Sequence, residues 1–168
     1  MSRINTYKLT VLALLAAVAI AGRNIFVFLP NVQPVTAIII TAGIQFGAMA
    51  SVLLSLVIVL VSNTLLGMGV WSIWQIVCWG IIGIMSAFLQ KPLKKFGLYA
   101  IVPYAIFTGY LYGLLISIPT YQVTGNFWPY YLAGLPFDTY HALGNGAFML
   151  VLYPILASLM KKYGDRHF

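Results

Sequence analysis

The chain has 168 residues, 62% of them hydrophobic and 7% charged, with a formal net charge of +7. A soluble domain carries roughly 25% charged residues, so this composition excludes a water-soluble fold and points to one integral membrane domain over residues 1–168. The basic excess is not a nucleic-acid footprint, because Lys and Arg gather at the ends of apolar segments, where they orient a membrane protein.

Six helical segments are expected. The first runs from about Tyr7 to Leu29, and a helix needs ~20 residues to cross a ~30 Å bilayer core. Ala19-Ile20-Ala21 mimics a signal cleavage site, but the apolar run continues past it, so an uncleaved helix is preferred. Ala13, Ala17 and Ala21 recur every fourth residue and form one smooth face, with Ala16 flanking. Arg23 lies inside the apolar run, about 22 Å beyond Lys8 along the helix, where a charge is expensive. It either snorkels to headgroups or turns inward to pair with Asp138 or with ligand oxygens.

Pro30 and Pro34 bracket an elbow. A short second helix, Val35–Gly43, and a third, Ala48–Asn63, are joined at Gln45–Gly47, and the second is too short to cross a bilayer upright. Thr64–Val70 reads as a glycine-broken loop. The fourth helix, Trp71–Leu89, opens with Trp71, Trp74, Gln75, Cys78 and Trp79, which fall within an arc of about 140°. Either the rings form an aromatic belt at the headgroups, or with Gln75 they face a polar cavity and hold a flat or large ligand. Cys78 is the single cysteine, so neither an intrachain disulfide nor a cysteine zinc cluster is available.

A basic turn, Gln90–Lys95, precedes the fifth helix, Leu98–Ile118. Pro119–Pro136, rich in Tyr, Pro, Gly and Trp, is expected to be a long loop. The sixth helix begins near Asp138, a possible N-cap, and ends before Lys161, with a kink at Pro154. Asp138, His141 and Asn145 fall within an arc of about 60°; hydrogen bonding inside a pocket suits His141 better than catalysis, and the set is too small for a metal. Gly43 with Gly47, and Gly109 with Gly113, have the spacing that lets helices approach closely.

Six crossings put Arg3, Lys8, Lys91, Lys94, Lys95, Lys161, Lys162 and Arg166 on one side, leaving Arg23 alone, so both termini are expected in the cytoplasm. The opposite end is rich in aromatic and amide side chains and suits a weakly charged organic molecule. No phosphate-binding glycine loop is present to use ATP, and no row of buried carboxylates is present to relay ions.

This pattern resembles the substrate-binding S-component of an energy-coupling-factor (ECF) vitamin transporter. The resemblance covers nearly the whole chain: six helices, cytoplasmic termini, and a basic turn before an Ala-x-x-x-Ala helix. It implies a non-enzymatic subunit of the bacterial plasma membrane that takes a vitamin at the outer face. Import would be driven by a transmembrane coupling subunit and two ATPase subunits. It implies docking of the coupling subunit on Ala13 and Ala17, with Ala16 and Ala21 beside them. It implies a pocket drawn from Gln33, Asn63, Trp71, Gln75, His141 and Asn145, to which Arg23, Trp74, Trp79 and Asp138 are added from the residue patterns above. The run Arg23…Pro30-Asn31-Val32-Gln33-Pro34-Val35-Thr36 with Trp74-Gln75-x-x-x-Trp79-Gly80 resembles the cobalamin branch. That makes cobalamin the expected cargo, with no resident cofactor or metal. Riboflavin, folate, pantothenate or a queuosine precursor would also suit such walls. The rivals are a stand-alone carrier and a small intramembrane enzyme using His141 and Asp138.

Overall fold

The computed structural model describes residues 6–164, with the side chains at 7, 120, 122–124 and 160–164 outside that description. Arg3 and Arg166, counted above toward orientation, lie outside the described residues, as do the side chains of Lys161 and Lys162. Among the described residues seven helices form: α1 Thr6–Ile25, α2 Val35–Phe46, α3 Ala48–Leu66, α4 Val70–Phe88, α5 Gln90–Phe96, α6 Leu98–Thr124 and α7 Phe127–Gly164. Five of them, all but α2 and α5, are long and apolar enough to cross a membrane.

The short helix is the axis of the bundle. Every residue of α2 from Val35 to Ile44 is buried, as expected of a helix that is apolar all round. It packs against all six other helices. Its 12 residues reach only about 18 Å. Pro34 precedes it beside Gly22 of α1, and Phe46 at its far end lies under the Lys8 ammonium, 5.9 Å from ring centre to Nζ. α1 and α2 are therefore antiparallel neighbours. The bundle accordingly has an Arg23 end and a Lys8 end.

The connections follow local chemistry. Asn31 adopts φ +58° in the elbow, a left-handed conformation that Asn tolerates. Gly47, at φ +87°, turns α2 into α3 with nothing within 4 Å of where a Cβ would stand. It is a hinge, not the packing position its pairing with Gly43 suggested. Gly43 does pack: a Cβ there would strike Gly83 O and Ser86 Cβ of α4. Likewise a Cβ on Gly109 would meet the backbone of Ala142, and one on Gly113 the Asp138 carboxyl, so α6 and α7 lie in near-backbone contact.

Three expectations about the second half fail. Pro119–Pro136 is not a long loop: α6 runs on to Thr124, Gly125 caps it at φ +86°, and α7 starts at Phe127. Pro129 falls in the first turn of α7, where the missing N–H has no helical acceptor to lose. Pro119 and Pro136 sit inside helices that continue past them, as lipid-facing backbone requires its bonds to be closed internally. Asp138 is consequently no N-cap, since it lies well inside α7. The basic turn Gln90–Lys95 is the helix α5. Hydroxyls inside the bundle bond their own helix: Thr41 donates to Ala37 O, Ser86 to Ile82 O and Ser117 to Gly113 O, at 2.7–2.8 Å.

Candidate functional site

At the Arg23 end a string of polar side chains crosses five helices. Arg23 stands in the last turn of α1, where a cation complements the helix dipole. Its guanidinium reaches inward to α3, with Nη1 donating to Ser62 Oγ at 2.6 Å and Asn63 Oδ1 at 2.9 Å. Because Arg can only donate, the Asn63 oxygen must face it. The Asn63 amide nitrogen then donates across to α4, to Ser72 Oγ at 2.7 Å and Gln75 Oε1 at 2.8 Å. Ser72 also accepts the Gly69 N–H at 3.3 Å, tying this network to the start of α4.

The guanidinium carbon sits 5.4 Å from the Trp79 ring centre, a cation–π contact of roughly 0.5–2 kcal/mol. Trp79 is fully buried, and its indole N–H donates to Thr36 Oγ1 of α2 at 3.0 Å. The same hydroxyl lies 2.9 Å from His141 Nε2 of α7. The Thr36 hydroxyl has one hydrogen and two lone pairs, so it can take the indole N–H and still pair with Nε2 in either His141 tautomer. The Tyr112 ring of α6 stacks on His141 at 5.0 Å and lies against Trp79 at 5.0 Å.

Above this floor is a cavity of about 180 Å³, lined by Arg23, Gln75 and Tyr112 from below and by the elbow residues Phe26, Val27, Leu29, Asn31, Val32 and Gln33 with Leu66. Of the residues singled out in the sequence, Arg23, Gln33 and Gln75 therefore line it. Asn63 and Trp79 position Arg23 from behind, and His141 ends the hydrogen-bonded string. Asp138 and Asn145 share the buried face of α7 with His141, but they turn to α6: Asp138 against Gly113, and Asn145 Nδ2 3.4 Å from Ala105 O. The expected Arg23–Asp138 pair does not form, because Arg23 turns to α3 and α4 instead. Asp138 Oδ2, His141 Nδ1 and Asn145 Oδ1 are buried without hydrogen-bond partners.

Trp71 and Trp74 do not join the cavity. They are 54% and 38% exposed on the outside of α4, in keeping with the belt reading. Sequence reasoning missed Tyr112, Ser62, Ser72 and Thr36. Ser62-Asn63 is a polar pair closing an apolar helix, which is a usable signal; Tyr112 carries none, being one of 11 tyrosines. Among the described residues no three His, Cys, Asp or Glu side chains converge as a metal site.

On the flank of the bundle, Ala13, Ala17 and Ala21 are exposed as one row. Ala16, grouped with them from the sequence, is only 4% exposed and packs inward. With Ala13 it floors an apolar groove of about 160 Å³ between α1 and α3, walled by Leu9, Leu53 and Val57.

Fold and site together define an all-helical membrane protein with a polar cavity at one end of its bundle. The chain belongs to a family of unknown function, DUF6580, whose model matches residues 3–166. No solved structure matches it.

Proposed function

We propose that the chain is the substrate-binding subunit of an ECF-type importer, holding a micronutrient in the cavity at the Arg23 end. The observation that carries this reading is that cavity: polar, and backed by side chains fixed from five helices. Such a floor is pre-organised for a small molecule. His141 is assigned hydrogen bonding and no catalysis, since Thr36 occupies its Nε2.

In this reading the chain crosses the plasma membrane of a bacterium six times, with α2 and the elbow together making the second crossing. Both termini are cytoplasmic and the cavity opens outward. A transmembrane coupling subunit docks on the Ala13–Ala17–Ala21 row and two ATPase subunits supply the energy. The sequence resemblance puts cobalamin first as cargo. A volume of about 180 Å³ admits only an edge of a corrinoid, which favours as a second reading a smaller micronutrient of the same transporter class.

Mass spectrometry of small molecules that co-purify with the detergent-solubilised chain tests both. A bound micronutrient, with ATP-dependent uptake only when coupling and ATPase subunits are co-reconstituted, is the expected result. Ala13→Phe with Ala17→Phe should abolish that uptake and leave binding intact. A chain that binds nothing in a broad ligand screen, or that transports alone in proteoliposomes, would overturn the proposal.

A further inference from the structure

We infer that Arg23 is the receptor for an anionic group, a carboxylate or a phosphate, on the molecule that enters the cavity. This rests on the reading of that cavity as the substrate site and narrows the substrate class. A guanidinium carries five N–H donors and is always charged. Arg23 spends Nη1 on two neutral oxygens, Ser62 Oγ and Asn63 Oδ1, and makes no other hydrogen bond among the described residues. The whole sequence holds 2 acidic residues. One, Asp138, faces Gly113; the other, Asp165, lies outside the described residues.

A cation in a span without a counter-charge is unfavourable, and an anion brought to it relieves that. Snorkelling does not resolve the problem here. The guanidinium is turned into the bundle, pinned on α3 and laid over the Trp79 ring. Arg23 lines the cavity, whose other polar walls, Asn31, Gln33, Gln75 and Tyr112, are neutral, while Phe26, Val32 and Leu66 are apolar. The site thus offers one positive charge, amide and hydroxyl partners, and flat apolar walls. That suits a small, flat organic molecule bearing one anionic group.

The test uses benzoate and benzamide, which share a ring and differ in charge. The full chain carries Trp71→Phe, Trp74→Phe and Trp128→Phe, so that Trp79 is the one fluorophore of the original 4 tryptophans. It is placed in phosphatidylcholine nanodiscs and titrated into the millimolar range. Benzoate should saturate a Trp79 emission change with a Kd at least about tenfold below that of benzamide, as charge-assisted hydrogen bonds imply. Arg23→Gln should erase the difference, and Arg23→Lys should keep most of it. Equal binding of the two probes, no saturable response to either, or an Arg23→Gln chain with the preference intact overturns the inference. If Arg23→Gln does not fold, the native pair and Arg23→Lys still decide.

Repeating the titration in discs containing phosphatidylglycerol distinguishes the sources of the anion. An unchanged benzoate response supports a soluble ligand, whereas its loss assigns the group to a lipid headgroup and overturns the soluble assignment. A co-purified micronutrient retained by Arg23→Gln would sink this inference and spare the subunit reading. Benzoate selectivity in a chain that never supports ATP-driven uptake would do the reverse.

Discussion

Replacing Thr36 by Val removes the hydroxyl on which α2, α4 and α7 converge while keeping the side-chain shape. Thr36 is fully buried, as is Trp79, and His141 is 1% exposed. The substitution therefore leaves an indole N–H and an imidazole nitrogen unpaired in a site closed to water. Each unpaired group costs about 1–3 kcal/mol in a water-excluded core. Interhelical hydrogen bonds in membrane proteins average about 0.6 kcal/mol, because the unfolded helices in lipid also find partners. Two bonds, at 3.0 and 2.9 Å, then give a loss of roughly 1–3 kcal/mol. Because Val matches Thr in shape, little of this is a cavity effect. Reversible unfolding in mixed micelles, followed by Trp emission, measures it. A double-mutant cycle with Trp79→Phe sharpens the test. The volume lost with the indole and its contact with Arg23 occur in both legs and cancel. In the Trp79→Phe background, Thr36→Val should retain only the His141 half of its effect. A neutral Thr36→Val, or strict additivity with Trp79→Phe, would refute the convergence of three helices on one hydroxyl.

Gly109→Ala should destabilise by about 1–3 kcal/mol, since the new Cβ meets the Ala142 backbone, which cannot step aside; Gly134→Ala, with open space around it, is the matched control in the same unfolding assay. Gly47→Ala should lose about 1–3 kcal/mol through strain, because φ +87° with ψ 179° is a backbone region essentially reserved for glycine, and Gly47→Asn should lose as much in the same measurement. Cys78 is 1% exposed and should resist a membrane-permeant maleimide in the folded chain, then react on denaturation, as read by mass shift; rapid labelling of the folded protein would contradict its burial.

Composition alone determined that this chain lives in lipid, because a sequence with 7% charged residues cannot cover itself for water. Apolar run length located α1, α3, α4 and α6 to within a few residues of their starts, and the doubled prolines located the elbow. Proline and glycine misled at Pro119–Pro136, since their helix-breaking strength in water weakens where the backbone must close its own bonds. The periodic face Asp138–His141–Asn145 was legible as a buried face, because residues three and four apart must point together. What each of those residues touches was not, since that depends on how far neighbouring helices slide and turn. Only tertiary packing sent Arg23 to Ser62 and Asn63 and away from Asp138, turned Trp71 and Trp74 outward, buried Ala16 while leaving Ala13 and Ala17 bare, and set Tyr112 between Trp79 and His141. A helix announces which side chains share a side. The partners on that side come from glycine-permitted approaches such as Gly109 on Ala142, which join residues far apart in the chain and leave no periodicity to read.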